Sequence, residues 1–204
     1  GRFLWPAVSV GFERYLPESD LTLRTLSVVP IVLEVVEQFI ADNHTEYIRS
    51  KASPLMAKSE VSKMDKDKNK NTESWRTSTT HFLSTGTDEI LLTLDDRVET
   101  LIKQPKSFHE RYQVLRYEES QKYSSHHDFF NPSLYANDKH TQRLIKNGLV
   151  NRLATVFLYL SPVLSGGETH FPRAHNGPQP STMNCDRDVG LLVPPARGKA
   201  IIFY

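Results

Sequence analysis

The sequence predicts an α+β fold with a mainly β core, on two observations. Helical periodicity is confined to the first 105 residues. From residue 112 onward the apolar runs are short, rich in β-branched or aromatic side chains, and separated by turn signals, the pattern of an antiparallel sandwich or barrel. The chain has 204 residues, 38% hydrophobic and 24% charged, which suits a single domain with a sizeable core.

Taken in order, "VSVGFERYL" (8–16) is β-rich, and "LSVVPIVLEVVEQFI" (26–40) reads as a strand followed by a helix of the core. The latter is too short for a spanning helix and is interrupted by Pro30, Glu34 and Glu37. "NHTEYIRSKASPL" (43–55) is helical, with Asp42 and Asn43 offering a cap. Residues 58–75 mix lysines with acidic and amide side chains and carry few apolar groups, so we expect a mobile surface loop, either a plain connection or a lid. "TDEILLTLDDRVETLIKQP" (87–105) places Ile90, Leu91, Leu94, Val98, Leu101 and Ile102 on one helical face and stops at Pro105. The later runs "LATVFLYL" (153–160), "VGLLVPP" (189–195) and "KAIIFY" (199–204) are strand candidates, and "SGGE" (165–168) allows a tight strand reversal.

Charge excludes one class of partner. With 25 basic and 24 acidic residues the net charge is +1, which gives no electrostatic footprint for nucleic acid or an anionic membrane. The single cysteine, Cys185, excludes an internal disulfide framework and leaves the redox compartment open. "NHT" at Asn43 is a glycosylation sequon and points to the lumen of the secretory pathway, with a cytoplasmic or organellar site as the alternative.

Chemistry concentrates in "QKYSSHHDFF" (121–130). Residues two apart in an extended segment face the same side, so His126 and Asp128 form a pair while His127 turns away. With a second histidine from a distant strand, such a pair makes the facial triad that leaves three positions of an iron ion open. The competing reading is a hydrogen-bonded surface pair. A helical His127–Asp128 metal doublet is disfavoured by the aromatic, β-like surroundings. The flanking phenylalanines, Phe129 and Phe130, are expected to pack the core.

Four blocks, "RTSTTHFL" (76–83), "YQVLRYEESQKYSSHHDFF" (112–130), "NRLATVFLYLSPVLSGGETHFP" (151–172) and "GLLVPPARGKAIIFY" (190–204), resemble the prolyl 4-hydroxylase family of iron(II)- and 2-oxoglutarate-dependent dioxygenases, in that family's order. The resemblance spans roughly residues 26–204. It implies a double-stranded β-helix, or jelly roll, formed by residues 106–204, with residues 1–105 as supporting helices and strands. It implies His126 and Asp128 as iron ligands, and Tyr117 and Thr169 as hydroxyl donors to the distal carboxylate of 2-oxoglutarate. Tyr123 and Arg152 would lie beside the peptide, with Arg76, Ser78 and Glu110 on or near closing loops.

The family's second histidine ligand and its co-substrate lysine follow the strand that ends here at Tyr204. His170, next to Thr169, should face outward, and His175 lies in a loop, so neither is expected to replace that histidine. Lys199 reads as a solvated lysine. We therefore expect a C-terminally incomplete form of an ordinary enzyme rather than a shortened relative. The implied activity is hydroxylation of prolyl residues in a peptide or protein, using Fe(II), 2-oxoglutarate, O2 and ascorbate. The alternative is a non-catalytic jelly-roll module with a structural or peptide-binding role.

Overall fold

Every strand pairing in the computed structural model, which describes residues 3–178 and 187–204, is antiparallel. In chain order the elements are β1 (Glu13–Leu16), β2 (Leu21–Ser27), β3 (Val32–Val35), α1 (Asp42–Ala52), β4 (Ala57–Lys58), β5 (Thr79–Leu83) and α2 (Glu89–Ile102). Then come β6 (Tyr112–Arg116), α3 (Lys139–Leu144), β7 (Thr155–Leu158), β8 (Thr169–Phe171), β9 (Leu191–Val193) and β10 (Ala200–Phe203). Cys185 lies outside the described residues.

The main sheet has the order β1-β2-β3-β10-β7, so the last strand of the chain is inserted between the third and the seventh. Strands 4-5-6 form a second sheet, and β8-β9 a third. The strands of residues 13–35 thus share the main sheet with β7 and β10.

Alternation along β7 and β10 separates two cores. Val156, Leu158, Ala200 and Ile202 face α1 and α2, packing with Ile48, Ala52, Leu91, Leu94, Val98 and Leu101. Phe157, Tyr159, Ile201 and Phe203 face the opposite way, toward Phe171, Leu191 and Val193 of the β8-β9 pair. A strand buried on both faces needs continuous apolar sequence, and "AIIF" supplies it.

Helix α2 forms as its periodicity predicts. Asp88 caps it by accepting from the Leu91 N–H at 3.0 Å, and Lys103 ends it in the left-handed region at φ 53°. Helix α1 also forms, but its cap is Ala41, whose side chain accepts nothing, and Asp42 and Asn43 fall inside the first turn.

The helix expected within residues 26–40 is absent. Residues 32–35 are the buried strand β3, after which the chain bends and Phe39 and Ile40 donate to the Gly198 carbonyl at 2.9 and 3.1 Å. Gly198 sits at φ +81°, and a Cβ there would come within 2.6 Å of the Ile40 carbonyl oxygen. The apolar spacing that mimics a helical stripe belongs instead to a strand covered on both faces. Gly166 and Gly167 both have positive φ, as the turn reading requires. The strands they connect are not partners: β7 pairs with β10 and β8 with β9, so the turn carries the chain between sheets.

Residues 58–75 have anchors that composition did not reveal. Ser59 donates to the Ser78 carbonyl at 3.0 Å, and Met64 packs against Phe130, Tyr135 and Ile145. The Asn137 N–H donates to Asp65 at 2.9 Å.

Candidate metal centre

The segment carrying His126 and Asp128 lies between β6 and β7 and is clamped at both ends. On the upstream side Thr77 N–H donates to the Lys122 carbonyl at 2.9 Å and Ser124 N–H to the Trp75 carbonyl at 2.7 Å. Downstream, the Asn151 side chain accepts from Phe130 N–H at 3.0 Å and donates to the Phe130 carbonyl at 2.7 Å. A loop between two such clamps can hold ligands without a strand beneath it.

His126 Nε2 and Asp128 Oδ1 stand 3.2 Å apart. Neighbouring ligands on an octahedral ion, each about 2.1 Å from the metal, are separated by about 3 Å. The pair therefore fits one metal ion from two adjacent directions. His126 Nδ1 lies 2.8 Å from the Ser124 carbonyl and donates to it, so Nε2, which faces Asp128, is the nitrogen that would turn its lone pair to an ion once it carries no proton. Asp128 Oδ2 accepts from the Thr155 hydroxyl at 2.6 Å, which leaves Oδ1 facing His126. Burial acts to raise the Asp128 carboxyl, but hydrogen bonds from His126 and Thr155 and the charges of His126 and Arg152 outweigh it and hold the group below the usual carboxylate range. Among the described residues no cluster of three or more His, Cys, Asp or Glu is placed to hold a metal.

His126 is also fixed from above. The Tyr123 ring stacks on it with centroids 3.9 Å apart and planes 22° from parallel, and the Arg76 guanidinium lies 4.4 Å from the other ring's centroid. Arg76 is only 8% exposed, donates to the Glu60 carbonyl at 3.0 Å, and leaves its Nε without a hydrogen-bond partner.

Extending the β5-β6 register by one step sets Ser78 opposite Tyr117. Tyr117 as a whole is 41% exposed, but the partial burial of its hydroxyl end raises that group, while the Ser78 hydrogen bond and the Arg76 charge act against it. Ser78 itself has no exposed surface and shares a 2.9 Å hydroxyl contact with Ser59, so a peptide would reach it only if residues 59–60 moved. Glu110 and Arg152 bind each other through two bonds of 2.7 and 2.9 Å, with Arg152 over the Phe130 ring.

Thr169 lies on the inner face of the β8-β9 pair, where its hydroxyl accepts from Tyr159 at 2.7 Å. Thr155 and Tyr159 are four residues apart, at the start of β7 and just past its end, one bonded to Asp128 and the other to Thr169. Burial pushes the Tyr159 hydroxyl up to about 12, keeping it a donor. His170 turns to the Val189 carbonyl at 2.7 Å, and His175 sits in a turn at φ 55°. Lys199 is not solvated: it pairs with the buried Glu34 at 2.8 Å. Phe129 is 57% exposed, so of the two phenylalanines Phe130 is the packed one.

Thr155, Asn151 and Tyr159 were not predicted as site residues. Each lies in the "NRLATVFLYL" block, and the available signal was its polar residues in an otherwise apolar strand.

The His126–Asp128 pair stands beside an antiparallel sheet, and comparison with known proteins bears on what such a site belongs to. Residues 112–204 match the model described as the 2OG-Fe(II) oxygenase superfamily. That match takes in the chain from β6 to β10. The chain is 34% identical to prolyl 4-hydroxylase 2 of Arabidopsis thaliana over 176 residues, covering 83% of this chain and 55% of that protein. It is 33% identical to probable prolyl 4-hydroxylase 7 of the same plant over 203 residues, covering 97% and 58%. Among solved structures, the viral collagen prolyl hydroxylase of Paramecium Bursaria Chlorella virus-1, in its 2OG complex, has a TM-score of 0.51 at 20% identity and shares the fold over 84% of this chain and 76% of its own. The chain spans a little over half the length of the curated relatives it matches.

Proposed function

We propose that the protein is an Fe(II)- and 2-oxoglutarate-dependent dioxygenase that hydroxylates prolyl residues in a peptide or protein, on a jelly-roll framework. The observation that carries this reading is the His126–Asp128 pair, with each side chain's second polar atom engaged elsewhere. The names of the relatives, all prolyl 4-hydroxylases, support the substrate class.

When bound, Fe(II) would supply the activation of O2, coupled to decarboxylation of 2-oxoglutarate to succinate and CO2, with ascorbate keeping the ion reduced. His126 Nε2 and Asp128 Oδ1 would hold it. Tyr117 and Thr169 would donate hydroxyls to the distal carboxylate of 2-oxoglutarate, which is costly to bury without such partners. Tyr159 holds the Thr169 hydroxyl in place. Tyr123 and the Glu110–Arg152 pair border the metal side and are assigned to the peptide, with Arg76 behind Tyr123. Asn43, on the exposed first turn of α1, supports a secretory-lumen location.

The test is mass spectrometry of proline-rich peptides incubated with the full-length protein, Fe(II), ascorbate and 2-oxoglutarate. Gain of one oxygen atom on proline is expected. Peptides that stay unmodified while 2-oxoglutarate is consumed would move the substrate away from proline.

A further inference from the structure

We infer that Thr155 is a positioning residue of the metal centre, which confines Asp128 to binding through Oδ1 alone. The inference rests on the proposed reading of His126 and Asp128 as ligands.

A carboxylate beside a metal can coordinate through one oxygen or both. Two-oxygen binding would occupy a position that the co-substrate needs and would tilt the ligand plane. The loop that carries Asp128 has no strand to fix the choice. Thr155 does have one: it opens β7, where its backbone is paired with Phe203 of the interior strand β10. Its hydroxyl is therefore placed by the main sheet, and its β-branched side chain has little χ1 freedom.

The 2.6 Å separation from Asp128 Oδ2 is typical of a hydroxyl donating to a carboxylate anion. Among the described residues, Oδ2 accepts no other hydrogen bond. His126 has an equivalent polar anchor in the Ser124 carbonyl, beside the stacked Tyr123 ring, and the polar anchors of the two ligands come from different parts of the fold.

The test titrates Co(II), without O2 or co-substrate, into the full-length protein and its Thr155→Val, Thr155→Ala, Thr155→Ser and Asp128→Ala variants, reading affinity and the visible d–d spectrum. Thr155→Val and Thr155→Ala should bind Co(II) about tenfold or more weakly, with a changed spectrum, and Thr155→Ser should stay near wild type. The thermal midpoints of the metal-free variants separate this effect from a merely structural one. Wild-type affinity and spectrum in Thr155→Val and Thr155→Ala, with binding lost in Asp128→Ala, would overturn the role of Thr155 and leave the ligand reading intact. Undiminished binding by Asp128→Ala would overturn both.

Discussion

Asn151 closes a two-bond ring with the backbone of Phe130, accepting its N–H at 3.0 Å and donating to its carbonyl at 2.7 Å. The amide acts as one rung of a missing strand, two residues after Asp128. Replacing it with alanine removes both bonds where the Phe130 side chain is buried, at a cost of about 1–3 kcal/mol. We predict a lower urea midpoint for Asn151→Ala. Metal affinity should fall with it, because the downstream clamp of the ligand loop is gone. An unchanged midpoint would show that the ring carries no load.

The hydroxyl of Tyr159 meets that of Thr169 at 2.7 Å inside the core between β7 and the β8-β9 pair. Tyr159→Phe keeps the packing and deletes the donor, at a cost of about 1 kcal/mol. If Thr169 binds 2-oxoglutarate, its freed hydroxyl loses orientation and the KM for 2-oxoglutarate rises. The KM for peptide should move little. Steady-state kinetics with each substrate varied in turn would check this, and equal rises in both constants would count against it.

Acid stability should depend on Asp88. Burial acts to raise its carboxyl, but Lys51, Tyr47 and the Leu91 N–H outweigh burial and hold it at about 2, below the ordinary value of 3.8. Because the folded pKa is the lower one, the contribution is complete above about pH 4 and is lost as the pH falls toward 2. Asp88→Ala should be clearly less stable than wild type near neutral pH, with the gap narrowing at about pH 2. Urea midpoints at the two pH values measure it, and a gap independent of pH would contradict the assignment.

Spacing alone was enough to pair His126 with Asp128, because a two-residue offset aligns side chains in any extended segment, strand or not. The anchors of that pair were illegible for a physical reason. Thr155 is 27 residues from Asp128, and Asn151 is 21 from Phe130, so their roles exist only once β7 is docked. Helix α2 was legible because its stripe faces a single core. Strand β3 was misread because burial on both faces removes the alternation that marks a strand, and what remains of "VLEVVEQFI" imitates a helix. Lys199 seemed solvated because Glu34, its partner, lies 165 positions earlier and meets it only through the β3-β10 pairing.

The most direct measurement of the central claim is succinate release by the full-length protein, with Fe(II), ascorbate, 2-oxoglutarate and a proline-rich peptide, compared with its Asp128→Ala variant. The assignment of His126 and Asp128 predicts peptide-dependent succinate from the wild type and almost none from Asp128→Ala. Equal turnover by the two proteins would contradict it.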